Sequence, residues 1–336
     1  TPFWQQLYYR DMPGDYDQVK WSNPLDPLVS GGFAADAVSV VSPTFLTEII
    51  TGVHDFIPLH FRDVLLHKWE AGMSKGIINA PPPDFNPATD SYLAAPYRAK
   101  DFQEAKRANK LALQRELGLN PDPAAPLLLW PSRLDPMQKG CELLAQILYQ
   151  VISTYWEAGL QVVFVADGDY QRVFSDIRRM HAFEQRIAVH PFDVAMEHLG
   201  YGAADFVLMP SRYEPCGLPQ MIGAIYGALP VAHAVGGLRD TVEHLDVAQD
   251  SGNGFLFETY DSGGLFWAIQ EAMNFYQRPV SIRSAQIQRI MAESARRFNP
   301  EVMANHYLAL YAKLLKRPMV MPSRSASTLS AMEDAV

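Results

Sequence analysis

The stretch SRYEPCGLPQ, residues 211–220, gathers side chains that could do chemistry between two apolar runs. It sets Glu214, Cys216 and Gly217 where a strand should give way to a helix. Gly217 admits the close approach of a backbone or a ligand. Pro219 suits a first helical turn, where its missing N–H is not needed. The other free N–H groups of such a turn carry a partial positive charge of roughly half a unit and favour an anion. Glu214, just ahead of them, would lie beside the bound group and not on its phosphate. An ordinary strand-to-helix turn would use the same glycine and proline. A second loop, WPSRLDPMQKG (130–140), offers Arg133 and Lys139. Two cations on one loop suit a phosphate; a solvated basic loop would carry them too.

Other candidates read differently. Asp167 and Asp169 in DGD form an Asp-x-Asp pair of the kind that can hold a metal. Asp and Gly also close strand-ending turns, and the stretch is read as a turn with no metal. Cys216 has no His near it in sequence, so a small buried thiol is favoured over a nucleophile. The nine histidines show no metal-ligand spacing. Phe192, in HPFDVAMEH, follows a strand-like run; it could stack on a nucleobase or belong to the core.

The elements that must position these residues alternate. PLLLWPSR (126–133), QVVFVADG (161–168), RIAVH (186–190), DFVLMPS and LPVAHAV read as strands, with helical spacing in each interval. Such alternation predicts an α/β fold with a parallel sheet covered on both faces. Ligands then bind beyond the carboxyl ends of the strands, where both loops fall. Upstream, DAVSVVSP (36–43) reads as a buried strand ended by Pro, FLTEIITG as a short helix, and GIINAPPPDFNPATD (76–90) as a strand running into a proline-rich linker. A helix is predicted at 99–120, and three more close the chain at 262–277, 281–297 and 300–316. Residues 1–30 show no clear period, and the C-terminal tail RPMVMPSRSASTLSAMEDAV is read as disordered.

Composition sets the outer bounds. The 336 residues suffice for about two domains, and 48% hydrophobic with 19% charged residues describes a globular core. A net charge of −9 argues against general affinity for nucleic acid or an anionic membrane, while leaving room for a local basic pocket. Two cysteines, Cys141 and Cys216, make no disulfide framework and fit a reducing compartment. No run has transmembrane length, and no signal peptide is visible. The first residue is Thr, so the chain reads as a processed or trimmed piece.

Several motifs in order resemble those of the glycogen/starch synthases, glucosyltransferases that build α-1,4-glucan. They are VSPTFLTEI, KGIINAPPPDFNPATD, SRLDPMQKG, PSRYEPCGLPQ, GGLRDTV, GNGFLF and the closing FWAIQEAM and ARRFNPEVMANHYLALY. The resemblance covers nearly the whole chain. It implies a GT-B fold of two Rossmann-like halves with the active site between them, and a nucleotide-activated glucose, usually ADP-glucose, as donor. It implies a retaining transfer without a cofactor. Arg133 and Lys139 match the cations on the distal phosphate, Glu214 the acid beside glucose, and Cys216, Gly217 and Leu218 the turn against phosphate and sugar. Asn79 matches a hinge Asn, and Phe192 stands where the family usually has a Tyr against the base.

The resemblance also divides the chain. Residues 1–80 would be the remnant of an N-terminal, acceptor-side domain with the hinge. Residues 81–123 would be linker and entry helix, 124–298 the nucleotide-sugar domain, 299–318 a crossover helix and 319–336 a disordered tail. The α-glucan acceptor would be held by the missing N-terminal part, leaving the piece inactive alone. NAPP replaces the family's NGID, Pro219 a residue with an N–H, and Ile225 the Arg of RYG. The implied location is the bacterial cytoplasm, or the plastid in a plant or alga. A non-catalytic module binding nucleotide sugar or glucan is the alternative.

Overall fold

The computed structural model describes residues 27–315. The expected tail lies outside the described residues. The first elements are α1 (Pro27–Ala34), β1 (Val38–Val40), α2 (Pro43–Thr51), α3 (Leu59–Glu70) and β2 (Ser74–Gly76). Strands β1 and β2 pair in parallel as a sheet of two. Pro43 opens α2 at its first turn, and the Ser42 hydroxyl caps it by accepting from Phe45 N at 3.1 Å. The strand expected to be buried is half-buried instead. Phe45, Leu46, Ile49, Phe61 and Leu65 form the core packed against Val38 and Val40. β2 ends at Gly76, the first residue of the stretch read as a strand, although Ile77 still donates to the Val40 carbonyl at 2.8 Å.

The remainder is the expected alternation. It runs α4 (Phe102–Glu116), β3 (Leu127–Trp130), α5 (Cys141–Thr154), β4 (Gln161–Val165), α6 (Tyr170–Met180), β5 (Ile187–His190), α7 (Val194–Ala203), β6 (Phe206–Met209), α8 (Pro219–Ile225), β7 (Leu229–His233), α9 (Gly236–Thr241) and β8 (Phe255–Phe257). Helices α10 (Ser262–Tyr276), α11 (Val280–Arg297) and α12 (Pro300–Leu315) follow, within a residue of the predicted spans. β8 is not legible as a strand in the sequence, because three residues behind a glycine carry too little pattern.

Six strands pair in parallel in the order β5-β4-β3-β6-β7-β8. Strand alternation splits the core in two. Leu128, Trp130, Val162 and Phe164 face α5, α6 and α10. Leu127, Leu129, Val163 and Val165 face α4, α7, α8 and α11. The chain winds from β3 outward to β5, then returns to place β6 on the other side of β3. That reversal opens a crevice at the carboxyl ends of β3 and β6.

The proline-rich stretch is fixed to this body by a buried carboxylate. Asp90 Oδ2 accepts from His198 Nδ1 at 2.8 Å and from the Tyr226 hydroxyl at 2.6 Å. Phe85 stacks on His198 with centroids 4.2 Å apart. The Tyr97 hydroxyl donates to the Tyr226 carbonyl at 2.8 Å. Asp90→Ala leaves two buried donors unpaired, each costing about 1–3 kcal/mol. Denaturant unfolding should show that loss, and an unchanged midpoint would refute the clamp.

Candidate functional site

Two loops meet at the crevice. The first leaves β3 at Pro131 and enters α5 at Cys141; the second leaves β6 at Pro210 and enters α8 at Pro219. Asp135 shapes the first by accepting from the N–H groups of Met137 and Gln138 at 2.8 and 3.1 Å. Gly140, at φ 71°, passes so close to the second that a Cβ would lie 2.0 Å from the Pro210 carbonyl oxygen. Arg212 N donates to the Gln138 carbonyl at 2.8 Å and joins the loops.

This juncture brings Lys139 and Glu214 together. Lys139 Nζ lies 2.6 Å from Glu214 Oε2, with side chains 11% and 6% exposed. The Ser211 hydroxyl donates to the same oxygen at 3.0 Å. The Ser211 carbonyl accepts from His233 Nδ1 at 2.8 Å, and burial pushes the His233 imidazole below its usual range.

Glu214, Cys216 and Gly217 need glycines opposite them. Gly237 N donates to the Glu214 carbonyl at 2.8 Å. A Cβ on Gly236 would meet that carbonyl oxygen at 2.1 Å, and one on Gly237 the Cys216 carbonyl oxygen at 2.2 Å. Gln220, quoted only within its motif, braces the turn by reaching the Cys216 and Gly217 carbonyls at 3.0 and 2.9 Å. Pro219 is the first residue of α8, as its ring predicts, and Leu218 precedes it. Cys216 is buried and unpaired; burial first of all pushes its thiol up to about 11. A thiol so held is protonated near neutral pH, which fits the packing role.

Arg133 is exposed, with one guanidinium nitrogen 3.4 Å from Gln138 Oε1. It lines a cleft of about 770 Å³ with Met137, Asp167, Asp169 and Phe192. Phe192 is 49% exposed there, so its ring belongs to the cleft and not to the core. The DGD stretch is a turn pressed on the first loop. Leu134 N donates to the Asp167 carbonyl at 2.8 Å, and Asp167 Oδ1 accepts from Phe192 N at 3.2 Å. Asn79 lines a separate cleft of about 300 Å³ with Asp240, Thr241 and Arg297, while its backbone N–H meets the Cys216 sulfur.

One contribution was missed. Helix α2 reaches across to α9: Gly236 N donates to Glu48 Oε1 at 2.8 Å, and the Thr44 hydroxyl to Asp240 Oδ1 at 2.6 Å. Phe56 packs on Tyr213 with centroids 4.5 Å apart. Thr44 and Glu48 stand in the quoted VSPTFLTEI, but no local pattern gives the position of a partner nearly two hundred residues away.

Among the described residues no helix is long and apolar enough to cross a membrane. Residues 125–274 match the family model "Glycosyl transferases group 1". The glycogen synthase of Streptococcus pneumoniae strain JJA is 34% identical over 301 residues, which are 88% of this chain and 60% of that protein. The catalytic domain of starch synthase IV from Arabidopsis thaliana, solved with ADP and acarbose, superposes with a TM-score of 0.76 at 30% identity, covering 87% of this chain and 58% of that one. Sucrose-phosphate synthase from Thermosynechococcus elongatus shares the fold, at a TM-score of 0.58 and 22% identity. The chain thus spans about 60% of the length of the curated relatives it matches. With these matches added to its ordered motifs, the chain belongs to the glycogen/starch synthase family of GT-B glycosyltransferases.

Proposed function

We propose that the chain is the donor-binding part of a retaining glucosyltransferase that moves glucose from ADP-glucose to the end of an α-1,4-glucan. The observation that carries this reading is the shielded Lys139–Glu214 pair at the sheet's carboxyl edge, beside the open Arg133 cleft. Lys139 gives one N–H to Glu214 and keeps two for a phosphate. Glu214 keeps Oε1 for glucose hydroxyls. One contact thereby sets the spacing between phosphate and sugar.

In the transfer, the bond between the glucose anomeric carbon and the diphosphate oxygen breaks, and its electron pair leaves with the diphosphate. An acceptor hydroxyl oxygen bonds to that carbon and releases its proton. Arg133 and Lys139 stabilise the charge that builds on the diphosphate. Glu214 positions the sugar or stabilises the positive ring, and is not assigned as a nucleophile. The turn of Cys216, Gly217 and Leu218 faces phosphate and sugar, Phe192 offers a ring to the base, and Asn79 lies at the hinge.

The proposed boundaries are residues 1–80 for the acceptor-side remnant, 81–123 for linker and entry helix, 124–298 for the donor domain and 299–318 for the crossover helix. Tyr311 is 48% exposed on α12, which supports a surface that meets a larger first domain. A cytoplasmic location is proposed on the strength of bacterial relatives.

Titration calorimetry with ADP should show weak binding that Arg133→Ala lowers by about 1.5–3 kcal/mol with no loss of stability. Lys139→Ala should weaken binding too. It should also lower stability by about 3–5 kcal/mol, because Glu214 is left buried and unpaired. Unaltered ADP binding in both variants would refute the phosphate role. Because Asp167 already serves Phe192 N, chelation by EDTA should leave ADP binding unchanged; restoration by Mg²⁺ of a lost signal would make DGD a metal site. Finally, labelled glucose should not pass from ADP-glucose to glycogen with this chain alone. Joining an upstream acceptor domain should restore transfer, and Glu214→Ala in the joined protein should remove most of it. Robust transfer by the chain alone would overturn the division of labour, and binding without transfer in the joined protein would favour a non-catalytic module.

A further inference from the structure

A second charged cleft lies on the opposite rim of the sheet, at the amino ends of β3 and β6, between α4 and α11. It encloses about 380 Å³, and its walls include Lys106, Arg107, Lys110, Asp205, Tyr276 and Arg283. That volume is within the range of small-ligand sites. The transfer proposed above does not use it.

Lys106 and Lys110 stand one turn apart on α4 and are only 7% and 3% exposed. Buried lysines ordinarily have an acidic partner. Lys110 has one, with Nζ 2.6 Å from Asp205 Oδ2 and a second bond to the Ala125 carbonyl at 2.8 Å. Among the described residues Lys106 has none: its amine donates to the Tyr226 and Tyr201 carbonyls at 2.9 and 3.3 Å. Each ammonium carries a third N–H beyond these bonds. Arg283 lies over Tyr276, 4.6 Å from the ring centroid, and among the described residues its buried Nε meets no hydrogen-bond partner.

The charge is uneven. Lys106, Arg107, Lys110 and Arg283 stand against the carboxylates of Asp205 and Glu104. This local positive excess sits in a chain of net charge −9.

We propose that this cleft binds a small phosphorylated molecule, its phosphoryl group among Lys106, Lys110 and Arg283 and its carbon skeleton against Tyr276. A dianion supplies the counter-charge that Lys106 lacks, and it bonds the N–H groups left over at the three cations. Burial lowers the Lys106 amine to about 7, with Asp205 raising it and Lys110 lowering it. Arg107 and Glu104 on the same helix, Arg283 on α11 and Asp90 behind Tyr97 and Tyr226 complete the charged surroundings. An anion favours the protonated amine, so binding near neutral pH draws a proton onto the protein.

Calorimetry of the 336-residue chain with sulfate tests the charge. This dianion does not titrate near neutral pH, and two buffers of different ionisation heat report protons taken up. Saturable binding with buffer-dependent heat is expected, unchanged in Arg133→Ala and weakened at least tenfold in Arg283→Gln and Lys106→Met. Arg283 is half-buried, so its variant keeps the test open should Lys106→Met fail to fold. Glycerol 3-phosphate should bind at least tenfold tighter than sulfate through its carbon skeleton. No binding, equal heats in both buffers, or binding that follows Arg133 and not Arg283 overturns the proposal. Glycerol 3-phosphate binding no tighter than sulfate also overturns it, since the site would then suit inorganic anions. ADP binding measured in the same variants reads the donor cleft separately, so either idea can fail alone.

Discussion

The contact on which the site depends is the ion pair between Lys139 and Glu214. The two residues are 75 positions apart. They meet because β3 and β6 are neighbours across the reversal of strand order. Withdrawing two charges from water is costly, and the attraction between them repays that only with good geometry and added hydrogen bonds. The structure supplies both. The distance is 2.6 Å, and the Ser211 hydroxyl bonds the shared oxygen. A pair so enclosed holds both head groups in one place, which suits the proposed alignment of phosphate and sugar. Arg133, by contrast, is exposed and only loosely held, so it is the cation free to move onto a ligand.

Backbone proximity makes that pairing possible. Gly140 against Pro210, Gly236 against Glu214 and Gly237 against Cys216 are three places where a Cβ would strike a backbone carbonyl. The loops lie as close as main chains can, so side chains of ordinary length span the gap. Helix α2 then reaches over the same turn with Glu48 on Gly236 N and Thr44 on Asp240. The small two-stranded unit is thereby tied to the glycine pair that packs on the Glu214 turn. A rigid-body shift of α2 would act directly on the turn that carries Glu214.

The underside of the sheet is anchored by different chemistry. Asp90, His198 and Tyr226 form a buried polar cluster, and Lys106 reaches the carbonyl of the same Tyr226. Tyr226 directly follows α8, the helix that begins at the candidate site. The proline-rich segment, α4 and the base of α8 are therefore one hydrogen-bonded assembly. It holds the far end of α8 while the glycine contacts hold the near end.

The sequence by itself determined the alternation of strands and helices, because apolar runs too short for buried helices lie between amphipathic stretches of regular spacing. It also determined the outlines of the candidate loops. A glycine at 217 and a proline at 219 are local requirements, and local geometry is what a residue's own chemistry constrains. The ordered motifs gave the family. Only the tertiary structure decided which charged groups meet. Arg133 and Lys139 look alike on their loop, yet one is exposed and the other is paired with Glu214. Phe192 could have been core or cleft, and its exposure settles the matter. Glu48, Thr44, Gln220, Gly236 and Gly237 act through partners that local pattern does not specify. Helical and strand periods record which face of an element is buried, but not which distant element buries it. The short β8 was invisible for a related reason, since three residues after a glycine become a strand only when β7 is beside them.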